Sequence, residues 1–168
     1  LNIACGISHK PELVILDEPT VAVDAQSRKF ILDGIKNLAD NGASILYTTH
    51  YLDEAEYLCN KISIMDNGKN ILTGDMQTLI NGVSVKEKIT VVGYIKPEII
   101  SILENQDDVV DVEVKENQVT LNYSNDVGNI KRLIYLLDDN NVVYEEIFSK
   151  KPKLEDIFLE MTGKELRE

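Results

Sequence analysis

Leu13-Val-Ile-Leu-Asp-Glu-Pro-Thr20 sets four consecutive apolar residues directly before two carboxylates and a proline. An unbroken apolar run after Pro11 and before Pro19 predicts a strand buried on both faces of a parallel sheet. Downstream, Asp24 stands where it can cap a helix, and Ile31, Ile35 and Leu38 recur at spacings of four and three until Asn41-Gly42 supplies a left-handed stop. A second buried strand is predicted at Ala43-Ser-Ile-Leu-Tyr-Thr48. Strand, crossover helix and strand make a right-handed parallel unit, and ligand chemistry in such sheets gathers at the carboxyl ends of the strands. Asp17 and Glu18 end the first strand, and His50 follows the second.

Working outward, the sequence predicts a short acidic helix from Asp53 to Leu58. Lys61-Ile-Ser-Ile-Met65 and Lys69-Asn-Ile-Leu72 flank Asp66-Asn67-Gly68, a strong hairpin signal. A short helix from Asp75 to Ile80 precedes Asn81-Gly-Val-Ser84, which reads as a linker. Beyond it the pattern changes from buried runs to alternation. Val110, Val112 and Val114 alternate with charged residues, and Val119, Leu121 and Tyr123 alternate with polar ones across a tight turn near Asn117, an antiparallel pair with one solvated face. A strand at 87–92 and a helix opened by Pro97 come before that pair. A helix with Ile130, Leu133, Ile134 and Leu137 and a strand at 142–148 come after it. The order βαββαβ predicts a ferredoxin-like sandwich. Beyond Pro152, Leu154, Ile157, Phe158 and Met161 form one more amphipathic helical stripe.

The charge balance narrows the function classes. With 17 basic and 29 acidic residues among 168, the net charge is −12, and the excess is shared: 6 basic against 11 acidic up to residue 80, and 11 against 18 after it. This excludes a nucleic-acid binder, and no strand carries the aromatic stretch of an RNA-recognition domain. The longest apolar run, Leu133-Ile-Tyr-Leu-Leu137, is far short of the roughly 20 residues a membrane-spanning helix needs. Cys5 and Cys59 lack metal-ligand spacing and predict small core residues in a reducing compartment. His9 reads as plain surface, Glu54 and Glu56 as a solvated helix face, and Asp107-Asp108 and Asp138-Asp139 as helix ends leading into turns.

Two adjacent carboxylates at the end of a buried strand are costly unless paired or bound to a cation. Successive side chains leave a strand on opposite sides, so one can hold a metal through water while the other takes a proton from an attacking water. On the pair alone, a strand ending in solvated acids is an equal reading. The order of motifs decides between them.

Leu13-Val-Ile-Leu-Asp-Glu-Pro-Thr20, then Val23-Asp24, then Thr48-Thr-His50 resembles the second half of an ABC-transporter ATP-binding subunit. The resemblance covers about residues 1 to 80, within a nucleotide-binding part expected at 1–82, and Tyr51-Leu-Asp-Glu-Ala-Glu56 and Ile64-Met-Asp-Asn-Gly-Lys69 also match that family. It implies that Asp17 is the Walker B aspartate that holds Mg²⁺ through water and that Glu18 is the catalytic base. It further implies that Asp24 is the D-loop aspartate at a dimer interface and His50 the switch histidine that meets the γ-phosphate. The ATPase-like part would be a partial P-loop NTPase core of α/β class. The α+β ferredoxin-like domain at 83–151 and the terminal helix at 152–168, with Pro152-Lys-Leu-Glu-Asp-Ile-Phe-Leu-Glu-Met-Thr-Gly163, resemble the extension on ATPases of drug, antibiotic and polysaccharide exporters. Val21-Ala-Val-Asp24 resembles the same branch, with Ala22 in place of a common glycine.

The phosphate loop G-x-x-x-x-G-K-[ST] does not occur in the chain, nor does a Ser-Gly-Gly signature. Leu1-Asn-Ile-Ala-Cys5 resembles the helix that follows that signature in the family, and the first residue is not Met, so the expectation is a carboxyl-terminal fragment, inactive alone, of an ATP- and Mg²⁺-dependent hydrolase. The parent would pair with a second ATPase subunit and a membrane permease at the cytoplasmic face, without entering the bilayer itself. An alternative is a regulatory or dimerisation module without catalysis of its own, centred on residues 86–150. A chromosome- or repair-associated ATPase would share the Leu-Asp-Glu-Pro strand but tie it to long coiled coils, and no heptad tract occurs here. A sheet lacking its other strands should expose apolar surface and self-associate.

Overall fold

The computed structural model describes residues 2–163. The chain is a mixed α/β protein that divides into two compact units, Leu1–Ile62 and Ser63–Glu168.

The first unit runs α1 (Asn2–Ile7), β1 (Leu13–Asp17), α2 (Ala25–Asp40), β2 (Ser44–Thr48) and α3 (Leu52–Leu58). β1 and β2 pair in parallel from Leu13 opposite Ser44 to Asp17 opposite Thr48, so the two strand ends lie side by side. α2 starts where expected: the Asp24 carboxylate accepts from Gln26 N at 3.1 Å and Ser27 N at 2.9 Å. It stops at Asn41, after which Gly42 takes a left-handed φ of 97° that would strain a side chain.

Val14, Leu16 and Ile35 form the core of this unit, with Ile3, Ile7, Ile31, Ile45, Tyr47 and Leu58 packed against it. The expectation that β1 is buried on both faces does not hold. Leu13 is 59% exposed, Ile15 64% and Leu46 on β2 55%, because α1, α2 and α3 all contribute to the core on the other side of the strand pair. Cys5 is exposed rather than in the core.

In the second unit, a hairpin of β3 (Ile62–Asp66) and β4 (Lys69–Gly74) turns at Asn67 and Gly68, both with positive φ, 49° and 74°, the conformation a two-residue hairpin demands. α4 (Met76–Asn81) follows, capped by Asp75, whose Oδ1 accepts from Thr78 N at 2.7 Å. Then come β5 (Glu87–Val92), α5 (Pro97–Glu104), β6 (Val109–Lys115), β7 (Gln118–Tyr123), α6 (Asn129–Asp139) and β8 (Glu146–Lys150). The four strands form one antiparallel sheet in the order β6-β7-β5-β8. Ile89 and Val91 of β5 and Val119, Leu121 and Tyr123 of β7 face Leu103, Leu133 and Leu137 in a closed core.

Two details depart from the sequence reading. A bulge between Val109 and Asp111 breaks the alternation of β6, so Val109 and Val112 pack on the core while Val110 between them is exposed. β8 begins at Glu146 rather than 142, although Val142 and Tyr144 still pack on the core.

α7 (Leu154–Thr162) buries Leu154 and Ile157 and packs against α4. Its Glu160 carboxylate accepts from Ser84 N at 2.6 Å and Ser84 Oγ at 2.7 Å, and its Asp156 pairs with Lys88 at 2.6 Å. Ser84, in the segment read as a linker, is thus hydrogen-bonded to α7, and the two compact units part at 62/63. Residues 164–168 of the predicted terminal helix lie outside the described residues.

Candidate active site

Pairing β1 with β2 in parallel brings together, at one end of the sheet, the residues singled out above. Thr48 Oγ1 donates to Asp17 Oδ1 across the strand pair. Glu18 N donates to Thr48 O at 3.0 Å, which extends the ladder by one step past β1. The Glu18 backbone then turns through a left-handed φ of 47°, a conformation unusual for any side chain and further restricted before a proline. Its carboxylate meets His50: Nδ1 lies 2.8 Å from Oε2. The His50 and Glu18 side chains are 57% and 37% exposed, so the pair is open to a ligand.

Asp17 is also exposed, so the desolvation cost expected of this acid pair is not incurred within this chain. Asp24 lies farther along, holding the first turn of α2; the Ser27 hydroxyl and N–H keep its carboxyl below the usual carboxylate value.

Behind this surface lies a group that sequence reasoning placed wrongly. Glu54, expected on a solvated helix face, is 1% exposed. Its Oε1 accepts from Thr20 Oγ1 at 2.7 Å, and its Oε2 accepts from Tyr47 OH at 2.7 Å and Thr49 Oγ1 at 3.0 Å. Arg28 Nε stands 3.6 Å from Oε1, a Coulombic contact longer than a hydrogen bond, and its guanidinium lies 4.3 Å over the Tyr51 ring. Burial, and then the hydrogen bond to Glu54, push the Tyr47 phenol up. The available signal was helical spacing: Glu54 lies four residues before the half-buried Leu58 and so shares its face of α3.

Among the described residues, no group of three or more His, Cys, Asp and Glu could hold a metal ion. Asp17, at the end of β1, presents an exposed carboxylate, a hard oxygen donor of the kind Mg²⁺ contacts directly or through water. His9 is on the surface, as expected, and Cys59 is half-buried, with its thiol pushed up by burial.

Comparison with known proteins adds the family context. No model of a known protein family matches the chain. The linearmycin resistance ATP-binding protein of Bacillus subtilis is 35% identical over all of this chain and 55% of its own length. The chain is a relative of ABC-transporter ATP-binding proteins. Nod factor export ATP-binding protein I of Sinorhizobium fredii is 29% identical over all of the chain and 47% of its own length. The daunorubicin resistance ATP-binding protein of Streptomyces coeruleorubidus is 31% identical over 97% of the chain and 52% of its own length. The chain thus spans about half the length of the curated relatives it matches.

Proposed function

We propose that this chain carries the water-activating end of an ATP-hydrolysing subunit of an ABC transporter, one that exports a drug, antibiotic or polysaccharide. The observation that carries the reading is the 2.8 Å contact of His50 with Glu18 at the shared end of a parallel strand pair. The names of its relatives, ATP-binding proteins of resistance and export, support the substrate class.

In this reading Glu18 is the general base, its carboxylate taking the proton of the attacking water. His50 orients the γ-phosphate and keeps Glu18 in place. Asp17 holds Mg²⁺ through water, and the ion when bound offsets charge developing on the phosphate oxygens. Asp24, fixed by Gln26 and Ser27, faces a second copy of the subunit as the D-loop aspartate. The phosphate-cradling amides come from outside the 168 residues, and the subunit works at the cytoplasmic face against a membrane permease. Among the described residues no helix is long and apolar enough to cross a membrane.

By function, residues 1–82 belong to the nucleotide-binding part, 83–151 form a ferredoxin-like accessory domain and 152–168 a terminal helix. The order β6-β7-β5-β8, its antiparallel pairing and its separate core support the ferredoxin-like reading. That domain regulates the ATPase or steadies its dimer.

The test is made in the protein that carries this chain. Glu18→Gln should accumulate an ATP-bound dimer, measured by light scattering with and without nucleotide. A variant that stays monomeric in ATP contradicts the reading. His50→Ala should depress turnover, and normal hydrolysis in that variant removes the histidine's role.

A further inference from the structure

Resting on that reading, we propose that Glu54 is the positioning residue that holds Glu18 and His50 against each other. It touches neither directly, yet its bonds land just after Glu18 and just before His50 in the chain. Thr20, fully buried, stands two residues after Glu18 and donates to Glu54 Oε1 at 2.7 Å. Thr49, the residue before His50, donates to Oε2 at 3.0 Å. Tyr51, the residue after His50, donates its N–H to Thr49 Oγ1 at 3.0 Å, and its ring centroid lies 4.1 Å from that of His50. Arg28 of α2 closes the set, near Oε1 on one side and over Tyr51 on the other. One carboxylate on α3 therefore fixes the loop after β1, the end of β2 and the first turn of α2.

A buried, paired charge adds little net stability relative to apolar packing, so what this one contributes is fixed geometry. The geometry at stake is demanding, because Glu18 sits in a left-handed conformation that its surroundings must impose. Glutamine keeps the shape of Glu54 but removes the charge opposite Arg28 and turns one acceptor into a donor, which a facing hydroxyl can meet only by giving up its own donation to the carboxylate, so one of the two arms loosens.

The experiment uses Glu54→Gln in the protein that carries this chain. The kcat for MgATP hydrolysis should fall about ten- to a hundredfold, the effect of misplacing a reacting group by about 1 Å, while the stoichiometry and Kd of MgATP binding stay at wild-type values. In the same variant, nuclear Overhauser contacts between the His50 ring and the Glu18 side chain should disappear, whether or not hydrolysis is detected. Should Glu54→Gln fold poorly, Thr20→Val and Thr49→Val each remove one donor and should act in the same direction. Retained His50–Glu18 contacts in a folded variant, or an unchanged kcat in an active one, overturn the proposal. A wild-type protein that does not hydrolyse ATP overturns the ATPase reading instead, and the magnetic-resonance contacts then decide the role of Glu54.

Discussion

At Glu18 and Ala22 the backbone takes left-handed φ values of 47° and 60°, which side-chain-bearing residues adopt at a cost. At Glu18 the strain sits on the proposed base. At Ala22 nothing comparable uses it, and glycine would relieve it; Ala22→Gly should raise stability by about 0.5–1 kcal/mol after its greater unfolded-state entropy is subtracted. Urea denaturation measures this, and a lower midpoint in the variant contradicts it. Tyr47→Phe deletes one of the hydroxyls on Glu54 and should cost about 1–3 kcal/mol by leaving a buried acceptor short. An unchanged midpoint would mean the bond contributes nothing. The places of Asp17 and Glu18 were legible in the sequence because acids directly after an apolar strand have a distinctive local pattern, and that of His50 because it follows the second apolar run. Glu54 was not, since Asp53, Glu54 and Glu56 together look solvated, and its burial depends on Thr20, 34 residues away, and Tyr47, seven away.

At the scale of elements, the caps carry the pH dependence. Asp24 is held below its usual value of 3.8 in the folded state, so its contribution is complete above the unfolded value and is lost as pH falls through the lower folded one. The difference in melting temperature between wild type and Asp24→Ala should therefore be constant above about pH 5 and shrink below the unfolded value. A gap that widens in acid refutes the cap. The cap at Asp24 and the turn at Asn67-Gly68 were legible because these residues act on their own neighbours, whereas Asp75, read as the first residue of a helix, caps it. The start of β8 and the bulge in β6 were not. Both are set by pairing to other strands, and a single extra residue at Val110 re-aims the side chains that follow.

At the scale of the whole molecule, the exposed face of β1 and β2 is the main departure from a closed α/β protein. Leu13, Ile15 and Leu46 share one side of the strand pair and stand open to solvent. The sequence made the apolar run plain but could not say which face is covered, because burial is a property of what packs on it. The isolated 168-residue chain should self-associate through this face despite its net charge of −12, and Ile15→Lys should weaken that association in sedimentation velocity. A monodisperse wild-type monomer contradicts this.

The most direct measurement for the account is steady-state phosphate release from MgATP by the protein that carries this chain, wild type against Glu18→Gln. The account predicts turnover in the wild type and release at least about a hundredfold slower in Glu18→Gln, with ATP binding retained. Equal release by the two proteins would contradict it and remove Glu18 from the chemistry.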